Sequence, residues 1–316
     1  YGGAGLGYQT LGLVLEQLGR NLVASPLYAS SVVGAAALMH SGSEDQKQSL
    51  LPKIADGSRL VVLALEEGPR HNPSQIKCRA ELTSSGVRLS GTKQFVMEGS
   101  AATDFVVVAN VDHGAGEQGV GLFLVACDAP GVHRHAVKTM DSRGYASVTF
   151  DGVTLDVDAM LAGPDTGKAV LEAVLAVATA ALAAEMLGTA AAAFDMTLDY
   201  LKTRKQFGQV IGGFQALGHR AAGLYSEMEL TRSCVEAALA ALDNDSQDAQ
   251  ELVALAKCKA SEFLHEMSSQ LIQIHGGIGM TDEFEIGFFI KRAAVSEQTF
   301  GDVNFHRNRY GVLEGY

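Results

Sequence analysis

Two short stretches of this 316-residue chain carry residue types that suit one anionic ligand. The first runs from Tyr200 to Gln215, YLKTRKQFGQVIGGFQ, and the second is Gln273-Ile274-His275-Gly276-Gly277-Ile278-Gly279. In the first, Arg204 stands just beyond an alanine-rich run, Phe207-Gly208 follows, and Gln215 opens a new helical segment. In the second, a helical pattern ends in a glycine pair, where backbone N–H groups can approach an anion closely because no Cβ intervenes. An arginine fork grips phosphate oxygens, and with two amide side chains and a bare Gly-Gly backbone it suits a pyrophosphate and the sugar-adenine beside it. Each feature alone has a plainer reading. Glycine commonly ends helices, and a lone arginine on a helix is commonly solvated. Asp199, a nearby acid, is poorly spaced for pairing with Arg204 along a helix.

The elements that must carry these groups are helical. From Gly167 onward the pattern predicts helices over roughly 167–203, 213–243, 246–274 and 282–310, with breaks at Asn244-Asp245-Ser246 and Gly276-Gly277. Long helices with short connections read as an antiparallel bundle. Between Ser58 and about Val157 the period changes to two, and strands are expected at Leu60–Leu65, Ile76–Leu82, Phe105–Asn110, Gly121–Cys127, His133–Thr139 and Ala146–Phe150. Turn signals separate them at Ser84-Ser85-Gly86, Gly114-Ala115-Gly116, Ala129-Pro130-Gly131 and Asp151-Gly152. Short strands with no helix between them indicate a small antiparallel barrel or sandwich. Residues 1–56 read as helices. Leu11, Leu13, Val14, Leu15 and Leu18 recur at helical spacing, and Ser43-x-x-Gln46 matches a capping box for a helix that Gly57 ends.

Composition narrows the function classes. The chain holds 47% hydrophobic and 19% charged residues and carries a net charge of −12. That balance argues against a nucleic-acid or anionic-membrane partner, which needs clustered Lys and Arg. The most apolar run, Ala173–Ala184, is shorter than the about 20 residues that span a bilayer. Cys78, Cys127, Cys234 and Cys258 lie far apart with no C-x-x-C pair, which fits reduced, cytoplasmic usage and predicts no metal.

Arg204-x-x-Phe207-Gly208 with Gln215 beyond it, then Gln273-x-His275-Gly276-Gly277-x-Gly279, resembles the FAD-binding signature of acyl-CoA dehydrogenases. The resemblance covers essentially the whole chain, from the Gly-rich Tyr1-Gly2-Gly3 to the last helix. It implies an α+β fold of three parts: the remainder of an N-terminal helical domain (1–57), a middle β domain (58–162) and a C-terminal helical bundle (163–316). The chain enters the family pattern part-way, at Tyr1 rather than Met, so residues upstream are expected. The resemblance assigns FAD as cofactor, with Arg204, Phe207, Gln215, Gln273, Gly276 and Gly277 gripping its adenosine diphosphate half. In the family this FAD is bound mainly by the neighbouring subunit. It implies an acyl-CoA substrate and an electron-transfer flavoprotein as acceptor.

The same resemblance exposes what is missing. The family's base is most often the Glu of a Tyr-Glu-Gly-Thr turn; here that turn reads Thr299-Phe300-Gly301-Asp302, and Phe300 cannot accept a proton. A minority of the family carries the Glu in the first bundle helix, at the position Ala178 occupies here. Thr-Glu-Pro and Gly-Ser-Asp in the middle domain are replaced by the stretch Leu65 to Asn72. A Trp-Ile-Thr segment over the flavin ring becomes Phe95-Val96-Met97, in a chain with no Trp. Elements used in cis are lost, and elements used in trans are kept. The small subunits of bacterial heterotetrameric acyl-CoA dehydrogenases look like this.

Glu185 is the rival base. It lies about two helical turns beyond Ala178 in an apolar stretch, where a carboxylate's pKa would rise. The plainer alternative is a structural Glu bonded to a neighbouring helix. His275 reads as a core or interface histidine, and Glu297 and Asp282-Glu283 as solvated positions. Asp302 and Asn304 stand where the family has Thr and Gln near phosphate, and a carboxylate there is unfavourable. Three functions follow: a dehydrogenase subunit in an α2β2 assembly whose partner supplies the base; a homo-oligomeric dehydrogenase using Glu185; or a flavin-free interaction protein on the same fold.

Overall fold

A computed structural model describes residues 1–83, 86–112 and 118–316. The turn signal at 84–86 falls partly, and that at 114–116 wholly, outside those residues. Contacts gather the chain into two units, Tyr1–Gly5 with Ala24–Ala178, and Leu6–Val23 with Thr179–Tyr316.

The first unit joins short helices to a sheet. A π-helical segment, Leu27–Gly34, runs directly into α2 (Ala35–Ser41), and α3 spans Glu44–Ala55. The capping box is present at α3, where Ser43 accepts from the Gln46 amide and Gln46 returns a bond to the Ser43 amide. Its strands are β1 (Val61–Ala64), β2 (Arg79–Thr83), β3 (Gly86–Met97), β4 (Asp104–Asp112), β5 (Gln118–Ala126), β6 (Val132–Lys138), β7 (Gly144–Leu155) and β8 (Met160–Ala162). They form one sheet in the order β6-β7-β3-β2-β4-β5-β8, with β1 also on β4.

This sheet is mixed, which corrects the expected antiparallel barrel or sandwich. Both β1 and β2 run parallel to β4, β1 opposite Asp104–Val107 and β2 opposite Asn110 and Val111. They therefore follow one another along the same edge of β4, and residues 65–78 are an excursion from a single line of pairing. Strand spacing alone does not reveal that two successive strands share a partner. The sequence also gave no strand at β3, whose Ser90-Gly91-Thr92 centre reads as a break. In fact β3 pairs with β7 through two register shifts, between Leu89 and Gly91 and between Lys93 and Val96.

The second unit is helical. It contains α1 (Tyr8–Arg20), most of α4 (Gly167–Thr203), α5 (Gln215–Asp243), α6 (Ala249–His275), α7 (Ile286–Gln298) and α8 (Val303–Leu313). Close crossing of α1 and α4 depends on two glycines. A Cβ at Gly19 would lie 2.0 Å from the Glu185 carbonyl, and one at Gly188 1.9 Å from the Glu16 carbonyl. By length and composition α4 could cross a membrane, but 83% of its apolar window is buried inside the protein, as in a core helix. The helix expected over 282–310 is two helices. It starts only at Ile286, so Asp282 and Glu283 precede it, and it breaks at Thr299–Asp302, where Phe300 and Gly301 take positive φ.

Candidate functional site

Arg204 follows immediately on the last turn of α4, its amide donating to the Tyr200 carbonyl at 2.9 Å. The chain then makes a two-residue hairpin, with β9 (Lys205–Gln206) paired to β10 (Gln209–Val210). Phe207 and Gly208 form its tip, both with positive φ (52° and 82°), as a type I′ turn requires. Phe207 is 91% exposed, touching Phe214 only edge-on at 6.2 Å between centroids. Arg204 is exposed, and no ion pair of Arg204 is found among the described residues. Asp199 pairs instead with Lys202. Gln215 begins α5, whose N-cap Phe214 offers no side-chain acceptor; the Leu217 amide donates to the Phe214 carbonyl at 3.0 Å, which leaves the amides of Gln215 and Ala216 to meet an anion.

The second stretch is brought to the first by an aromatic contact. Tyr200 stacks on His275 at 4.4 Å and donates its hydroxyl to the His275 carbonyl at 3.3 Å. Beyond His275 the chain reverses at Gly276 (φ 64°, ψ −139°), a conformation reserved for glycine. A Cβ at Gly276 or Gly277 would meet nothing within 4 Å, so these glycines serve backbone shape and outward access rather than packing. Gln273, Gly276 and Gly277 are exposed. Neither stretch contains an Asp or Glu.

The three candidate base positions lie in different surroundings. Ala178 is fully buried, and its carbonyl accepts from the Tyr28 hydroxyl at 2.7 Å. Glu185 is 1% exposed and ion-paired to Arg292, itself 3% exposed, at 3.1 Å. Arg292 also donates to the Leu22 carbonyl at 3.4 Å. This is a structural pairing to a neighbouring helix, in which each buried charge compensates the other. At the third position, Phe300 sits at φ 55° and its carbonyl accepts from His306 Nε2 at 2.9 Å. Gly301 offers its carbonyl to Lys257 Nζ at 2.9 Å. Lys257 is completely buried and also donates to Ser261 Oγ and the Glu297 carbonyl; burial pushes its pKa down to about 7. Asp302 is the N-cap of α8, accepting from the Phe305 amide at 2.9 Å, which accounts for a carboxylate there without any phosphate. Glu297 is half-buried rather than solvated, facing His265 at 3.2 Å, and burial raises its pKa.

Comparison with known proteins decides the family. The family models for the acyl-CoA dehydrogenase N-terminal and C-terminal domains match residues 1–58 and 165–311. Acyl-CoA dehydrogenase FadE27 of Mycobacterium tuberculosis is 31% identical over 317 aligned residues, 98% of this chain and 82% of that protein. The chain belongs to the acyl-CoA dehydrogenase family. Among solved structures it is similar to a Tcur3481-Tcur3483 steroid ACAD variant, with 34% identity, TM-score 0.88, and coverage of 99% of this chain and 83% of that one. It is also similar to the ChsE4-ChsE5 complex from Mycobacterium tuberculosis, with 29% identity, TM-score 0.90, and coverage of 100% and 83%. The family dehydrogenates acyl-CoA with FAD, as expected from the two motifs.

An acyl-CoA dehydrogenase must hold both ends of FAD. For the adenosine diphosphate end the donor set fits. An exposed Arg204, the open first turn of α5 and the unobstructed Gly276-Gly277 backbone all lie in segments free of carboxylates. Segments that meet the flavin ring in this family belong to the first unit. There Glu67 is fully engaged, accepting from the amides of Lys77 (2.6 Å) and Cys78 (2.9 Å) and from buried Lys93 (2.6 Å), which pins the 65–78 excursion to β3. Glu66 bonds His71. Phe95 is 45% exposed at φ 50°, while Val96 and Met97 turn inward. Sequence reasoning missed Tyr200, Phe284, Arg292, Lys257 and His306. A lysine among apolar neighbours on α6 and a tyrosine one turn before Arg204 were the available signals.

Proposed function

We propose that this chain is the non-catalytic subunit of a heteromeric FAD-dependent acyl-CoA dehydrogenase, completing a partner's FAD site in trans. The observation that carries this reading is the pairing of an outward-facing, carboxylate-free phosphate cradle with a base position filled by Phe300. α,β-Dehydrogenation needs a general base for the α proton, and FAD when bound accepts the β hydride. Arg204, Phe207, Gln215, Gln273 and the exposed Gly276-Gly277 turn would hold the adenosine diphosphate end, and the partner supplies the base. Two similar structures are of two-protein assemblies, one of them a steroid ACAD, which supports a heteromeric arrangement. The ion pair of Glu185 with Arg292 speaks against a base within this chain. Electron-transfer flavoprotein is the acceptor in this reading, and the four free cysteines fit a cytoplasmic complex.

The test is co-purification with its partner and measurement of flavin per chain. The chain alone is expected to retain little FAD, and the complex to be yellow with less than one flavin per polypeptide. One flavin per chain in an active homo-oligomer would sink the proposal.

A further inference from the structure

His275 is the buried polar side chain of the glycine-pair motif, with Ile274 and Gly279 buried on either side of it. It is 3% exposed and lies between two rings, Tyr200 at 4.4 Å and Phe284 at 4.7 Å, which are themselves 5.9 Å apart. Its Nδ1 is 2.8 Å from the Leu271 carbonyl, one turn back on α6. A carbonyl only accepts, so Nδ1 carries the proton and donates, leaving Nε2 as the lone-pair nitrogen. Nε2 is buried with no hydrogen-bond partner among the described residues. Burial lowers the pKa of this imidazole, so it stays neutral. Its own carbonyl is held by the Tyr200 hydroxyl. Ring, Nδ1 and carbonyl are thus fixed from three directions immediately before the chain reverses at Gly276.

Resting on the proposed trans FAD site, we infer that His275 is its positioning residue: clamped between Tyr200 and Phe284, it fixes the Gly276-Gly277 turn and ties it to Arg204. A Cβ at either glycine would meet no atom within 4 Å, so packing does not set the turn from outside. Behind it, Gly279 is buried, where a Cβ would lie 3.0 Å from His275 Cβ and 3.0 Å from the Ile272 carbonyl, closing the turn onto the same histidine. On the other side, Tyr200 is one helical turn before Arg204, whose amide it receives. The clamp therefore holds the Arg204 backbone and the Gly276-Gly277 turn in one frame before any phosphate arrives. Pre-ordering of this kind removes the entropy cost that the ligand would otherwise meet.

The experiment compares His275→Ala, His275→Phe and Arg204→Ala in the full chain and in the co-purified complex. Hydrogen exchange of amides 273–280 in the chain alone reports the clamp without any flavin. FAD affinity of the complex reports its use. In His275→Ala, protection of those amides should fall about tenfold or more, with distant α5 amides unchanged, and the flavin dissociation constant should rise about tenfold. His275→Phe keeps the ring stack and should recover most of both effects, which a mere loss of core volume elsewhere would not track. Unchanged exchange at 273–280 in His275→Ala overturns the clamp. Faster exchange with flavin affinity reduced by Arg204→Ala but not by His275→Ala overturns the positioning role. Faster exchange with affinity unmoved in both variants leaves the clamp standing and overturns the trans FAD reading beneath it.

Discussion

The turn at Gly276-Gly277 and the turn at Phe300-Gly301 are both held from α6, one by its last residue His275 and the other by Lys257, yet they face opposite ways. At the first, the Tyr200 hydroxyl holds the His275 carbonyl and the Gly276 amide caps α6 on the Gln273 and Ile272 carbonyls, while no side chain among the described residues bonds Gly276 or Gly277 from the outer side. At the second, the carbonyls of Glu297, Phe300 and Gly301 are all consumed by Lys257 and His306, and Asp302 closes the start of α8. The first is arranged to receive a group, and the second is complete in itself. Phe300 sits at positive φ, a strain tolerated because Lys257 and His306 fix the carbonyls of Gly301 and Phe300 around it.

The comparison breaks if the chain carries its base elsewhere, and Glu185 is the place to look. Removing the carboxylate leaves Arg292 charged and buried, so Glu185→Leu should cost about 3–5 kcal/mol in denaturant melts. The double variant Glu185→Leu/Arg292→Met should recover most of that loss, because both charges go together. Flavin reduction by acyl-CoA in the complex carrying the double variant should stay within a few-fold of the parent. A drop of about 10³ in a well-folded double variant would make Glu185 the base.

Lys257→Met sharpens the closed side. Met fills the space but leaves the Glu297 and Gly301 carbonyls without their donor, which should cost about 2–4 kcal/mol. The cost depends on pH. Burial lowers the folded-state pKa to about 7, against about 10.4 in an unfolded chain, so between those values the unfolded state holds the extra proton. Stability of the parent therefore rises with pH across that window, and Lys257→Met should lose that rise. Parallel stability profiles for the two proteins from pH 7 to 10 would show that Lys257 is not the titrating group.

On the open side, Arg204→Ala should leave stability within about 0.5 kcal/mol, since Arg204 is exposed and has no ion pair among the described residues. FAD affinity of the complex should fall tens-fold or more, matching a charge-assisted bidentate contact of about 2–3 kcal/mol. Equilibrium dialysis of the complex measures it. Undiminished flavin retention would remove Arg204 from the cradle.

What the sequence made legible follows from range. Arg204, Phe207, Gln215, Gln273, Gly276 and Gly277 stand in local motifs that the family resemblance makes recognisable, and the Ser43–Gln46 capping box spans one turn, so short-range patterns single them out. Glu185 could be seen as an apolar-flanked acid, but its partner Arg292 is on another helix far along the chain, and no local pattern joins them. Two of the acceptors of Lys257 are backbone carbonyls, which have no residue type, so its apolar flanks hint at burial but not at the turn it holds. The parallel β1–β4 and β2–β4 pairings were hidden for the same reason. Register between distant strands is set by the excursion at 65–78, not by their own composition.

The smallest expected effect lies at His275, where the clamp meets solution pH. Burial lowers the folded-state pKa of this imidazole below its ordinary value of about 6.5. The unfolded chain therefore takes up a proton first as pH falls, and protonation works against the folded state. The sign is fixed by linkage: the neutral-His contribution is fully present above about pH 6.5 and is lost as pH falls through the lowered folded value. A charged ring would also need an acceptor for a second N–H, and Nε2 has none among the described residues. His275→Phe keeps the stack with Tyr200 and Phe284 but has nothing to protonate. The difference in unfolding midpoint between parent and His275→Phe should therefore shrink as pH is lowered from 7 to 5. In the parent alone, exchange at 273–280 should quicken over the same range. A difference that stays constant, with parent and variant losing stability in step, would assign the acid sensitivity to other groups and leave the clamp a purely steric device.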